Sequence, residues 1–213
     1  MKILFSPTKQ MNFSNLIKRK NDINIQEVND NIDYLKSLTT LECYDLLKTK
    51  DNYYDINQNI NVLSKKAINL YKGISFKQLT NINNDNYQNL LILSALYGYS
   101  YAFDYISPYR FDYTMKESKK NYQIFCNRIN DLISGEDIVY NLASNEFSKD
   151  LKHHNMINFI FYLKKDNKLV QHSVSSKKMR GQLANYIINN KNIDLESFNY
   201  DNFYFDDTLS RNN

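Results

Sequence analysis

The 213-residue sequence predicts an α/β fold, a single domain with a mixed β-sheet flanked by helices. Three observations predict it. Apolar runs of strand length alternate with segments whose apolar residues recur every three or four positions. No Gly-, Pro- or Ser-rich linker divides them and no internal repeat is present, so residues 1–213 are expected to fold as one unit. Residues 156–174 read as two antiparallel strands around the polar turn Lys165-Asp166-Asn167, which makes the sheet mixed rather than parallel.

The elements follow in order. "KILF" (2–5) is a short buried strand ended by Ser6-Pro7. Val28, Ile32 and Leu35 share one face of a helix over 26–38, and Ile60, Leu63, Ala67 and Leu70 predict a second over 58–71. "NLLILSAL" (89–96) is a continuous apolar strand, and "RFDYTM" (110–115) alternates like another. Tyr122, Phe125, Ile129 and Leu132 mark a helix over 117–134. "DIVYNLA" (137–143) is a strand, with a short helix near 146–152. After the hairpin, Ser175 or Ser176 caps a helix reaching about Lys191, with Met179, Leu183 and Ile187 inward; "NFYF" (202–205) closes the chain as a strand.

Composition bounds the function. A hydrophobic fraction of 42% excludes a disordered chain, and the longest apolar runs fall well below the roughly 18 residues of a membrane span. "MKILFSPTKQ" turns polar after three apolar residues, so no signal peptide is expected. Cys43 and Cys126 form no CxxC pair, which points to a reducing cytoplasm. Net charge is +4 and the pI about 8.8, which permits a polyanionic partner without requiring one. The four glycines are isolated, which excludes a P-loop and a dinucleotide fingerprint. No His, Cys or carboxylate spacing matches a zinc or calcium site, and neither metal nor cofactor is expected.

Four apolar strands are each followed by a polar group containing serine: "ILFSPTK", "LILSALYG", "IVYNLASNE" and "LVQHSVSSKKMRG". In open α/β sheets ligands bind outside the carboxyl ends of the strands. If these strands are parallel neighbours, Ser6, Lys9, Ser94, Tyr97, Asn141, Ser144, Glu146, Lys178 and Arg180 converge there. The plain alternative is that Ser and Asn only end strands and cap helices. In "SSKKMRGQL", Lys178 and Arg180 fall on opposite flanks of the apolar stripe, Lys177 points away, and Gly181 implies a close approach to the backbone.

Residues 91–110 concentrate turn-formers and tyrosine. Gly98 frees the backbone after the strand, Pro108 stiffens the chain before Arg110, and Tyr97, Tyr99, Tyr101, Tyr105 and Tyr109 line the excursion. Aromatics interleaved with cations suit stacking on bases, and equally suit a buried loop in a tyrosine-rich protein.

Five blocks in this order, "FSPTK", "LSALYGYSYAFDYISPYRFDYTM", "NLASNEF", "KKMRGQLANYII" and "FYFDD", resemble the peroxide stress protein YaaA family, whose patterns are roughly SPAKT, LSGLYGxLRPLDxxxPYRLEM, NLASxEY, KKARGxMxRFI and GYxFD. The resemblance spans nearly the whole chain. It implies a mixed α/β fold with a basic cleft and a helix-hairpin-helix-like element, DNA binding, and survival of hydrogen peroxide through lowered unincorporated iron. Carried over by match are Ser6, Lys9, Tyr97, Arg110, Asn141, Ser144, Glu146, Lys178, Arg180 and Gly181. This chain departs from the pattern at "YAFD" (101–104), at Ala95 of "ALYG", and near Asn185, where an arginine is common.

The expectation is therefore a monomeric cytoplasmic DNA-binding protein of the peroxide response, without catalysis of its own. Lys9, Arg110, Lys178 and Arg180 would meet backbone phosphates, with little sequence specificity, and Tyr97 would stack on a base. The alternative is an enzyme acting on a phosphorylated small molecule or nucleotide, with Glu146 as general acid/base beside Ser144 and Lys9 or Lys178 as electrostatic partner. A compact pocket rather than an open groove would favour the second. A third reading, iron held by Asp206 and Asp207, has no third ligand placed by spacing.

Overall fold

In the computed structural model, which describes residues 1–47, 53–165, 168–200 and 203–204, the chain has an α/β architecture. It runs β1 (Lys2–Phe5), β2 (Ile17–Lys18), α1 (Gln26–Ser37), α2 (Thr40–Leu47), α3 (Tyr53–Gln58), β3 (Leu63–Lys66) and α4 (Ala67–Leu70). A single 3₁₀ turn (Phe76–Gln78) precedes α5 (Asn84–Tyr87), β4 (Leu90–Ser94), β5 (Gly98–Tyr101), β6 (Tyr105–Ile106) and α6 (Lys116–Ile133). Then come β7 (Val139–Leu142), α7 (Asn145–Ser148), β8 (Met156–Asn158), β9 (Leu163–Lys165), β10 (Lys168–Val170), α8 (Ser173–Asn189), β11 (Asn199–Tyr200) and β12 (Phe203–Tyr204).

The main sheet has the order β5-β4-β1-β7-β8. β4, β1, β7 and β8 are parallel, and β5 runs antiparallel to β4. Both faces are covered, which explains why β1, β4 and β7 read as unbroken apolar runs. On one face Ile3, Phe5, Leu90 and Ile92 meet Val28, Ile32 and Leu35 of α1 and Met179, Leu183 and Ile187 of α8. On the other, Leu4, Leu91, Leu93 and Val139 meet Cys126, Ile129 and Ile133 of α6. Among the described residues no helix is long and apolar enough to cross a membrane.

Four expectations need correction. Residues 58–71 are not one helix: Asn61 takes φ 72°, ending the helical path, and β3 pairs with β2 and β6 instead. Ile60, Ala67 and Leu70 are still fully buried, so the spacing located core positions while the conformation differs. Residues 110–115 form no strand. The Arg110 amide donates to the Asn57 side chain at 3.0 Å and the Arg110 carbonyl accepts from it at 3.3 Å, which uses the groups a ladder needs.

The antiparallel hairpin is real but forms its own two-stranded sheet, β9 with β10; the main sheet is mixed because of β5, a tyrosine-bearing strand missed in the sequence. Finally, α8 starts at Ser173 and is capped by His172, whose Nδ1 accepts from the Ser175 amide, rather than by Ser175 or Ser176. Of the last predicted strand, Phe203–Tyr204 is described as β12, whereas Asp206 and Asp207 lie outside the described residues.

Candidate functional site

The connections leaving β1 and β7 diverge, one leading to β4 on one side and the other to β8 on the opposite side. A crevice opens at such a switch point, beyond the strand ends. Ser6 and Ser144, the residues just past β1 and β7, meet there. The Ser144 amide donates to Ser6 Oγ at 2.8 Å, and the two hydroxyls lie 3.3 Å apart.

Above them is a cleft of about 390 Å³, walled by the loop after β1, the 3₁₀-turn region, residues 109–113, the start of α7 and one side of α8. The loop is held in place by backbone bonds from Asn12 to Leu70 and from Lys72 to Gln10. Lys9, Arg110, Lys177 and Arg180 line the cleft with two carboxylates, Asp112 and Glu146. Its fixed charge is therefore positive.

Each cation is positioned differently. Arg110 is 9% exposed, its backbone gripped by Asn57 and its guanidinium 5.7 Å from the Tyr53 ring centroid. Asp112 Oδ2 accepts from Arg110 at 2.9 Å and from Lys9 Nζ at 3.0 Å, so one oxygen gathers two cations. Lys9 itself is 68% exposed at the rim. Arg180 has no acid beside it: it forms no ion pair among the described residues, its Nε is shut off from solvent without a partner, and burial holds its pKa below the ordinary arginine value. The Nε of Arg110 is likewise buried and unpaired.

The sequence-predicted residues thus divide. Ser6, Lys9, Arg110, Ser144, Glu146 and Arg180 come together at the cleft. Ser94 is fully buried and binds Tyr109 at 2.8 Å and the Leu96 and Tyr97 amides, so it builds the turn after β4. Asn141 is interior too, donating to Ser148 and Asn158 and accepting from the Ala143 amide. Tyr97 corrects the stacking expectation: it is 1% exposed with its hydroxyl tied to Ser107, and offers no face to a base.

Lys178 and Lys177 exchange roles. Lys177 and Arg180, one turn apart, line the cleft, while Lys178 Nζ sits 5.3 Å from the Tyr200 ring centroid. The close approach expected at Gly181 is to protein: a Cβ there would fall 2.2 Å from the Ser75 carbonyl oxygen. That contact and the Ser75 hydroxyl's bond to the Lys177 carbonyl at 2.7 Å set which flank of α8 faces the cleft.

Sequence reasoning missed Asp112, Tyr113 and Lys177. The Arg-x-Asp spacing of Arg110 and Asp112 was the available signal. The tyrosine excursion is largely interior. Tyr109 bridges Tyr71 and Ser94, and Tyr105 carries the Arg19 guanidinium 4.0 Å from its ring centroid. "ALYG" is the turn joining β4 to β5, with Gly98 at φ 71° and Ala95, Leu96 and Tyr97 buried. It joins strands, not helices, and the Leu96 and Tyr97 amides within it are already taken by the Ser94 hydroxyl. Cys43 and Cys126 are buried free thiols, and desolvation pushes their pKa up. Among the described residues no three His, Cys, Asp or Glu side chains gather as a metal site.

A family model described as peroxide stress protein YaaA matches residues 1–209. A UPF0246 protein of Fusobacterium nucleatum is 37% identical over an alignment covering 92% of this chain and 88% of that protein. One from Malacoplasma penetrans is 30% identical, covering 95% and 94%, and one from Streptococcus gordonii is 32% identical, covering 77% and 74%.

Proposed function

The chain belongs to the peroxide stress protein YaaA family, and from that premise we propose that it serves the response to hydrogen peroxide by holding a phosphate-bearing ligand in the strand-end cleft. Arg180 carries this reading. A half-buried guanidinium whose Nε is sealed from solvent, with no acid partner among the described residues, is electrostatically incomplete, and an anion in the cleft completes it. Lys9, Lys177 and Arg110 add charge around the same space, and the Ser6 and Ser144 hydroxyls supply further polar contacts. The volume of about 390 Å³ suits a small ligand, within the roughly 300–1,000 Å³ common for such sites. Glu146, exposed at the cleft, is positioned to act as a general base if the ligand is also a substrate.

Inorganic phosphate tests the reading. Calorimetric and thermal-shift titrations should show binding by wild type that is lost in an Arg180→Gln variant of unchanged circular dichroism. Equal binding by both proteins would sink it.

A second reading places a DNA backbone phosphate on the same cations, limiting oxidative DNA damage and unincorporated iron in the cytoplasm as a monomer. The exposed Lys9 and Lys177 at the rim favour it, since they are within reach of a polyanion too large to enter. Fluorescence anisotropy of labelled duplex against salt separates the two. DNA binding predicts log K falling with log salt at a slope of about −0.9 per phosphate contact, reduced in a Lys9→Ala/Lys177→Ala double variant.

A further inference from the structure

The cleft is not uniformly polar. Where Phe5, Phe111 and Tyr109 are buried in its floor, Tyr113 and Phe147 are only half-buried and keep part of their rings on its wall. Their centroids are 5.0 Å apart at 60°, an edge-to-face pair that fixes both rings. Tyr113 is further fixed by its hydroxyl, which donates to the Ser94 carbonyl at 3.3 Å. Phe147 follows Glu146 directly in α7, so an exposed carboxylate and an aromatic face belong to one short segment. The cations come from elsewhere, the loop after β1, residue 110 and α8.

We propose that the cleft takes a nucleoside monophosphate, its phosphate on the cations around Arg180 and its base against Tyr113 and Phe147. This rests on the phosphate reading and adds the identity of the body attached to the phosphate. Four cations against two carboxylates leave a surplus of two charges, which matches a phosphate monoester dianion. Glu146 repels that phosphate and accepts hydrogen bonds from ribose hydroxyls or a base amino group, so it orients the ligand with its phosphate away from α7. A bare phosphate or a sugar phosphate leaves the aromatic wall unused. A nucleoside without phosphate leaves Arg180 unpaired.

Calorimetric titration of the whole chain with adenosine monophosphate, ribose phosphate, inorganic phosphate and adenosine tests this. The expected order puts adenosine monophosphate about tenfold tighter than ribose phosphate, as base–aromatic contact gives elsewhere, with adenosine weaker than both. Replacing Phe147 by Leu should narrow the gap between the nucleotide and ribose phosphate, chiefly by weakening the nucleotide. Equal affinity for the nucleotide and ribose phosphate in wild type overturns the nucleotide assignment and leaves the phosphate reading standing. Adenosine binding as tightly as the monophosphate overturns it as well, and binding of none of the four removes both.

Discussion

The Ser144 amide donates to the Ser6 hydroxyl at 2.8 Å across 138 positions of sequence. One bond thereby joins the ends of the two neighbouring parallel strands whose onward connections part. A Ser6→Ala change leaves that amide without its partner and takes one hydroxyl from the cleft. Urea unfolding should show a loss of about 1 kcal/mol, while Ser6→Thr, which keeps the hydroxyl, should lose less.

Asp112 holds Lys9 and Arg110 on one carboxylate oxygen, much as a bound phosphate would. It competes with any anion entering the cleft. Asp112→Asn should therefore strengthen phosphate binding by about tenfold at low salt, and the gain should shrink as salt is added. A weaker affinity instead would mean that Asp112 serves mainly to place the two cations.

Gly181→Ala should be costly although alanine favours helix. Its Cβ would lie 2.2 Å from the Ser75 carbonyl oxygen, and backbone cannot step aside as a flexible side chain can. Helix α8 would be pushed off the 3₁₀ turn at a cost of about 1–3 kcal/mol. A lowered melting temperature, with weaker phosphate binding as Lys177 and Arg180 shift, is the expected pair of readouts.

Alkali should unfold the protein through its tyrosines. Burial raises the Tyr87 phenol from 10 to about 12, and pushes Tyr71 and Tyr109 upward as well. The folded state therefore binds more protons than the unfolded state above the ordinary phenol pKa. For Tyr87, stability is full below about pH 10 and falls as pH rises toward 12. Phenolate absorbance should rise in two phases, exposed rings first. The second phase should coincide with loss of helix signal; buried phenols ionising without unfolding would contradict the burial described.

Much of the fold was legible because burial leaves period and run length in the sequence. The strands around Ile3, Leu91 and Tyr140 are covered on both faces, and α1 and α6 show their apolar stripes. Residues 58–71 are not one helix because apolar residues three and four apart are satisfied as well by a turn, a strand and a single helical turn that bury Ile60, Ala67 and Leu70. Ser6, Lys9, Ser144 and Glu146 were legible because strand ends in a parallel sheet share one edge, while Arg110 and Arg180 reach the same edge from a loop and a helix outside that sheet. Tyr97 and Lys178 were not, since composition says nothing of which aromatic is interior and helical spacing nothing of which flank meets the sheet. That second choice was made by Ser75 and Gly181, far apart in sequence.

The cleft takes Ser6 and Lys9 from the first strand's end and Lys177 and Arg180 from α8, the last helix described. As the chain leaves the ribosome, the sheet's central strands emerge before half of the cations exist. A chain stopped short of residue 177 lacks the Arg180 guanidinium on which the site turns. Any ligand of this cleft therefore recognises only finished molecules, and by bridging early and late segments it would close the fold like a clasp.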